Sequence, residues 1–136
     1  CVTELQSGPP LTVLASHTIA ARQNLDQLLR PPTQRVAWMP PEALAEAFAT
    51  CESALVSAST LSWEALATGT PIVALQTADN QVGVARTLRD AGIPVFTSAK
   101  MATQALGDGL ACLAQSDVQL DGRGAWRVAR ALGLID

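Results

Sequence analysis

Hydroxyl-bearing side chains are concentrated at residues 57–60, SAST, where an apolar run gives way to a helical pattern. A loop that enters a helix presents free backbone N–H groups, and the hydroxyls of Ser57, Ser59 and Thr60 add further hydrogen-bond donors. Such a loop favours binding of a phosphate group. The alternative is that Ser59 or Thr60 only caps the helix, for which one hydroxyl is sufficient.

Glu64 follows this loop at a spacing that a capping box does not use. A capping box would place an acid at position 62 or 63, where the chain has Ser62 and Trp63. A carboxylate one turn into the helix is able to accept hydrogen bonds from both hydroxyls of a ribose diol, as acids do in dinucleotide sites. The alternative is an exposed helical glutamate that benefits from the helix dipole.

A second polar segment, residues 78–81, ADNQ, follows the next apolar run. Asp79 or Asn80 is expected to cap the helix that begins there, which leaves Gln81 without a capping role. Amide side chains carry donors and acceptors, which a sugar with hydroxyl and acetamido groups requires. Gln81 is therefore a candidate for contact with such a sugar. Neither segment contains a nucleophile with its base.

Three further residues sit at predicted strand ends. His17, the only histidine, follows the first predicted strand, where a surface or capping role is the simpler interpretation. With no second histidine, the sequence predicts no metal site, and it predicts no cofactor. Trp38 and Met39 end the second predicted strand and are expected in the core or at its rim. The backbone beyond them is free to read a base edge.

Composition and charge exclude several classes of protein. A chain of 136 residues with 49% apolar side chains predicts one compact domain over residues 1–136. The net charge is −3 and the arginines are scattered, so there is no basic stripe of the kind that nucleic-acid binding requires. Arg123, Arg127 and Arg130 are expected to line a solvated helix face.

The cysteines and the apolar runs indicate a compartment. Cys1, Cys51 and Cys112 are odd in number and far apart, which favours neither disulfides nor zinc. Cys51 and Cys112 are expected to be small buried apolar residues. No apolar run reaches the roughly 20 residues of a membrane helix, and no signal-peptide pattern is present. A cytoplasmic protein without an integral membrane segment is predicted.

Apolar runs alternate with helical patterns along the chain. Strands are predicted at residues 11–16, 35–39, 53–58, 71–75 and 93–96, and helices at 19–30, 40–51, 60–68 and from about 82 to a stop at Gly92. Gly69 is the predicted stop of the third helix. Two more helices are expected, one with Ala102, Leu106, Leu110 and Leu113 on one side, and a terminal one. This order predicts an α/β fold, a Rossmann-like, doubly wound parallel sheet with ligands at the carboxyl ends of its strands.

The segment VSASTLSWEALATGTPIVALQTADNQ, residues 56–81, resembles the C-terminal domain of GT-B-type nucleotide-sugar enzymes. Within that group it is similar to the UDP-sugar hydrolase of pseudaminic acid biosynthesis and to spore-coat polysaccharide biosynthesis proteins. The tail LDGRGAWRVARAL looks like the closing helix of that family. The resemblance runs from about Leu11 to the C-terminus, although the loop reads SAST where many relatives have a pair of glycines.

The resemblance implies roles for these residues. The loop of Ser57, Ala58, Ser59 and Thr60 would hold the UDP diphosphate, and Glu64 would hold the ribose. Asn80 and Gln81 would contact the diphosphate or the sugar, and the strand end near Met39 would lie by the uracil. Asp79 and His17 are weaker candidates.

The function implied is UDP binding in an enzyme that hydrolyses a UDP-linked amino sugar. The family's N-terminal domain, which carries the water-activating histidine, is not in this sequence, so the chain alone is expected to bind UDP weakly without turnover. One alternative is a UDP-sugar-dependent glycosyltransferase of the same architecture, similar to the one that adds N-acetylglucosamine to the peptidoglycan lipid precursor. The other is a non-catalytic sugar-nucleotide-binding module.

Overall fold

Short apolar strands alternate with helices in the computed structural model, which describes residues 11–15, 33–112 and 120–135. The described strands are β1 (Thr12–Leu14), β2 (Gln34–Val36), β3 (Ala54–Ser57), β4 (Ile72–Leu75) and β5 (Val95–Phe96). The described α-helices are α1 (Pro41–Thr50), α2 (Thr60–Ala67), α3 (Val82–Asp90), α4 (Ala99–Gly107) and α5 (Gly124–Ala131), and a 3₁₀ turn spans Asp79–Gln81. The helix predicted at 19–30 lies outside the described residues.

All described strand pairs between these elements are parallel, which confirms the predicted α/β class. β1 pairs with β2, and β3, β4 and β5 form a second sheet in that order. The five predicted strands are therefore present, but within the described residues they form two small sheets. The architecture is compatible with a Rossmann-like fold.

The three-stranded sheet is covered on both faces. One core cluster joins β3 and β4 to α1, α2 and α3, with Phe48, Leu66, Ile72 and Leu88 among its buried members. The opposite face packs Val73 of β4 against Ala102 and Ala105 of α4. Because side chains alternate along a strand, Ile72 and Val73 face opposite layers. The sheet is doubly covered, as predicted.

The two predicted helix stops are confirmed. Gly69 and Gly92 both have φ of +80°, the left-handed conformation that favours glycine. At the end of α2, Gly69 N–H donates to Leu66 O and Thr70 N–H donates to Ala65 O, at 3.0 and 3.1 Å. This is the Schellman pattern, which satisfies the last carbonyls of the helix.

The second predicted strand ends earlier than expected. β2 stops at Val36, which pairs with Leu14, and the last bond of this ladder is Ala15 N–H to Val36 O. Pro40, which has no N–H to donate to a ladder, begins the entry to α1. Trp38 is 73% exposed, so its predicted place in the core or at its rim is wrong. Met39 is half-buried.

The helix predicted to reach Leu113 is shorter. α4 ends at Gly107, and Gly109 at φ +72° reverses the chain, with Leu110 N–H donating to Ala105 O at 2.9 Å. Leu110 is consequently 52% exposed rather than on the packed face. Leu113 lies outside the described residues.

Both described cysteines correct the prediction of buried thiols. Cys51 ends α1 and Cys112 forms an antiparallel bridge with Ile72, and both are exposed and free. Each lies where a helical pattern has already stopped, so neither is on a packed helix face.

The tail helix α5 is exposed along most of its length. Asp121 lies just before α5 and accepts a hydrogen bond from the Arg123 N–H at 3.0 Å. Its carboxylate also forms an ion pair at 2.8 Å with Nη1 of Arg127, which lies within α5. The Arg127 hydrogen bond, with help from the Arg123 N–H, lowers the pKa of Asp121 to about 2. The Arg130 guanidinium lies 5.3 Å from the Trp126 ring centroid.

None of the helices in the described ranges is long and apolar enough to cross a membrane.

Candidate functional site

The register of β3 and β4 places the two polar segments side by side. Ser57 pairs with Leu75, and Ala58 N–H donates to Leu75 O at 2.9 Å. The chain therefore leaves both strands at the same edge of the sheet, called here the carboxyl edge. Residues 57–60 and 76–81 are neighbours at this edge, about 5 Å apart at the strand ends.

Three serines stabilise the loop that follows β3. Ser57 Oγ and Ser59 Oγ are 2.8 Å apart, and Ser59 N–H donates to Ser57 O at 2.8 Å. Ser62 is fully buried in α2, and its hydroxyl donates to Ser57 O at 2.7 Å. The loop is thus held from within by hydrogen bonds.

Ser59 and Thr60 have different roles at the start of α2. Ser59 is the N-cap and accepts from Leu61 N–H at 3.4 Å, so one hydroxyl of the loop serves as a cap. Thr60 is exposed, and neither its N–H nor its hydroxyl bonds to another atom of the described residues. Thr60 therefore presents two donors at the carboxyl edge, which suit an anionic oxygen.

Glu64 lies in the middle of α2 and is exposed. Its carboxylate forms no hydrogen bond or ion pair within the described ranges. The side chain is available as an acceptor, as predicted for a residue that binds a diol.

The loop after β4 is closed by Gln81. Its Oε1 accepts from Thr77 N–H at 2.7 Å and from Thr77 Oγ1 at 3.2 Å. The Gln81 amide NH₂ group remains as a donor, and the neighbouring Asn80 is exposed with its side-chain amide unbonded among the described residues. Neither Asp79 nor Asn80 is the N-cap that was predicted.

The backbone before α3 explains why neither Asp79 nor Asn80 caps the helix. Ala78 and Gln81 occupy the N-cap positions of the 3₁₀ turn and of α3, and neither makes a side-chain capping bond. The chain instead makes an extra 3₁₀ turn, and the Gln81 side chain reaches back to Thr77. Asp79 is exposed within that turn.

Of the remaining predicted residues, Ala58 lies within the first loop and Met39 lies just before α1. Ala58 is fully buried and its N–H is used by Leu75, so neither its side chain nor its N–H is open to a ligand. Met39 lies between β2, which belongs to the other sheet, and α1. His17 is outside the described residues.

Sequence reasoning missed two parts of the site. Ser62 was considered only as a position without a capping-box acid, yet it anchors the loop after β3. The loop after β5 was also missed, although Gln76 N–H donates to Phe96 O at 2.8 Å and so joins Thr97 and Ser98 to the same edge. The signal was the order of parallel strands, since every such strand delivers its following loop to one edge.

The two predicted loops supply hydrogen-bond donors and acceptors without an adjacent acid and base pair. No group of three or more His, Cys, Asp or Glu side chains within the described ranges is arranged to hold a metal ion. The arrangement is suited to binding oxygen-rich groups.

A scan against protein-family models, a search of curated proteins and a search of solved structures each found no match to this chain.

Proposed function

We propose that the chain is the UDP-binding domain of an enzyme that hydrolyses a UDP-linked amino sugar in surface-polysaccharide biosynthesis. The observation that supports this most is the adjacency of the two polar loops at the carboxyl edge. One loop carries the hydroxyls of Ser57, Ser59 and Thr60, and the other carries Asn80 and Gln81. Ligands of open parallel sheets bind at this edge.

The donors and acceptors are divided in a way that suits a nucleotide diphosphate. The Thr60 N–H and hydroxyl, with the Gln81 amide, would donate to phosphate oxygens, which are acceptors only. The exposed Glu64 carboxylate would accept from the ribose hydroxyls. The internal bonding of the serine loop keeps its donors in place before the ligand arrives, which lowers the ordering cost of binding.

Hydrolysis needs a water molecule and a general base as well as a stabilised leaving group. The carboxyl-edge donors would stabilise the departing diphosphate. The base is assigned, by resemblance to the nucleotide-sugar hydrolases, to a second domain facing this edge. The proposal includes a cytoplasmic location, which agrees with the two free described cysteines.

Calorimetric titration of the 136-residue chain with UDP and with uridine tests the proposal. The expected result is binding of UDP at least tenfold tighter than uridine, because only UDP meets the phosphate donors. Equal affinity for the two ligands, or no binding of UDP, would contradict the phosphate-loop assignment.

A matched pair of variants tests the ribose contact. Glu64→Ala is expected to weaken UDP binding about tenfold, as for a charged hydrogen-bonding partner. Glu46→Ala removes the same charge from an exposed position on α1, and it is expected to leave the UDP affinity unchanged. An unchanged UDP affinity in Glu64→Ala would show that this carboxylate does not bind the ribose.

A further inference from the structure

α5 is the one described α-helix that contributes no buried residue to the core. Seven of its eight residues are exposed, and Ala129 is half-buried. A helix shorter than about 12 residues is marginally stable in water, and protein helices are stabilised mostly by the packing of one apolar face. The exposed α5 therefore presents a face on which a partner can pack.

One side of α5 is apolar, and the turn that ends the helix extends that side. The residues that share it at i, i+3, i+4 and i+7 are Ala125, Val128, Ala129 and Leu132. Gly133, with φ of +67°, reverses the chain, and Leu134 N–H donates to Ala129 O at 2.9 Å. This Schellman turn returns Leu134 to the same side. Val128, Leu132 and Leu134 are 59%, 68% and 72% exposed, and we call these three residues the apolar stripe.

The other side of α5 is cationic. Arg123, Arg127 and Arg130 recur at spacings of four and three residues, which places them together on the side away from the apolar stripe. Arg127 pairs with Asp121, whereas Arg123 and Arg130 form no ion pair among the described residues. Residues 122–135 carry three arginines and no acid, and the rest of the chain carries six basic and twelve acidic residues. The tail is thus a positive segment on an acidic domain.

Trp126 lies on the border between the two sides. It is three residues from Ala129 on the apolar side and four residues from Arg130, whose guanidinium lies 5.3 Å from the indole ring centroid. The Trp126 side chain is 47% exposed. An indole at the border of apolar and charged faces is typical of the interface between a membrane and water, because its ring is apolar and its N–H is polar.

The size and charge of α5 favour a lipid surface over a protein partner. A helix of eight residues is only about 12 Å long, whereas a stable protein interface buries about 800 Å² on each partner. Two copies of the chain paired through α5 would also bring their arginines together, which is unfavourable. A lipid surface requires no complementary shape, and anionic headgroups attract arginines. The acidic remainder of the chain would be repelled from the same surface, so the charges also orient the domain.

We propose that α5 and residues 132–135 bind the surface of an anionic lipid membrane. The helix lies in the plane of the surface, with the apolar stripe at the boundary of the acyl chains and Trp126 at headgroup depth. The arginines bind headgroup phosphates, and their long stems reach past the helix to do so. This inference does not depend on UDP binding, since it concerns a different part of the chain.

Co-sedimentation with vesicles tests the proposal, using the 136-residue chain. Vesicles of equal amounts of phosphatidylcholine and phosphatidylglycerol are expected to bind the chain at least tenfold more tightly than vesicles of phosphatidylcholine alone, because three arginines meet anionic lipid. Leu132→Gln is expected to weaken binding about tenfold by removing a buried leucine from the apolar stripe. Met101→Gln is the control, since it removes an exposed apolar side chain from α4, and its binding should equal that of wild type.

A second pair of variants tests the charge. Arg130→Gln should weaken binding to the mixed vesicles about fivefold, whereas Arg89→Gln, which removes an exposed cation from α3, should not. Brominated lipid should quench part of the tryptophan fluorescence, and that quenching should be lost in Trp126→Phe and kept in Trp38→Phe.

Three results would overturn the proposal. The first is failure of wild type to bind the mixed vesicles. The second is an equal loss in a variant and its control, which would mean that α5 is not the binding element. The third is a dimer in analytical ultracentrifugation that Leu132→Gln abolishes, with no binding to vesicles, which would assign the apolar stripe to a second copy of the chain.

Discussion

Replacing Ser62 with alanine should loosen the serine loop and lower the stability of the domain. The Ser62 hydroxyl is fully buried and donates to Ser57 O at 2.7 Å, a carbonyl that also accepts from Ser59 N–H. The carbonyl keeps one partner, so the loss is that of one buried hydrogen bond, about 1–1.5 kcal/mol. Alanine is the better helix former by up to about 0.5 kcal/mol. The free energy of unfolding should therefore fall by about 1 kcal/mol.

Urea denaturation of Ser62→Ala and wild type measures this difference, with Ser98→Ala as the control. Ser98 is a half-buried serine at the N-cap of α4 whose hydroxyl makes no hydrogen bond within the described chain. Its removal should change the free energy of unfolding by less than about 0.5 kcal/mol. If Ser62→Ala were as stable as wild type with an unchanged denaturant slope, the buried anchor would have no energetic role and the reasoning would be refuted.

Two further predictions concern bonds away from the carboxyl edge. Thr70 is 2% exposed and its hydroxyl donates to a carbonyl of α1 at 2.7 Å, so Thr70→Val should lower the free energy of unfolding by about 1–2 kcal/mol. The control is Thr87→Val at an exposed site, which should have little effect on the free energy of unfolding in urea denaturation. Equal losses of stability in the two variants would contradict the stabilising role of the buried Thr70 hydrogen bond. The pKa of Asp121 is lowered to about 2, mainly by Arg127, so the ion pair contributes above the ordinary value of 3.8 and is lost as pH falls through about 2. An NMR titration of Asp121 should show that midpoint, and Arg127→Gln should raise it whereas Arg130→Gln should not.

The alternation of elements was predictable because it depends on local patterns. Gly69 and Gly92 end their helices where the sequence placed the stops, since each helix needs a residue that tolerates positive φ after its last turn. α1, predicted over residues 40–51, begins at Pro41, where a proline suits the first turn of a helix. The parallel orientation of the strands followed from apolar runs separated by helices. These features need only the residues nearby in the chain.

Features that depend on distant partners were not predictable. An apolar run does not reveal which strand it pairs with, so the end of β2 at Val36 and the exposure of Trp38 could not be read from RVAWM. Ser62 is a serine like Ser57 and Ser59, and its role depends on the loop folding back over α2. The packing of α3 and α4 on opposite faces of the sheet likewise depends on residues that are distant in the chain.

The positions of the two described cysteines have a practical consequence for binding measurements. Cys51 precedes β3, and the backbone of Cys112 is hydrogen-bonded to that of Ile72 at the start of β4. Both thiols therefore lie at the end of the sheet opposite the polar loops. Partial desolvation raises the pKa of the otherwise exposed Cys51 thiol, which slows its alkylation at neutral pH. With Cys1 replaced by serine, maleimide coupling through Cys112 would tether the protein to a sensor chip with its polar loops directed into the flow. Nucleotide titrations on such a chip would not be obstructed by the attachment chemistry.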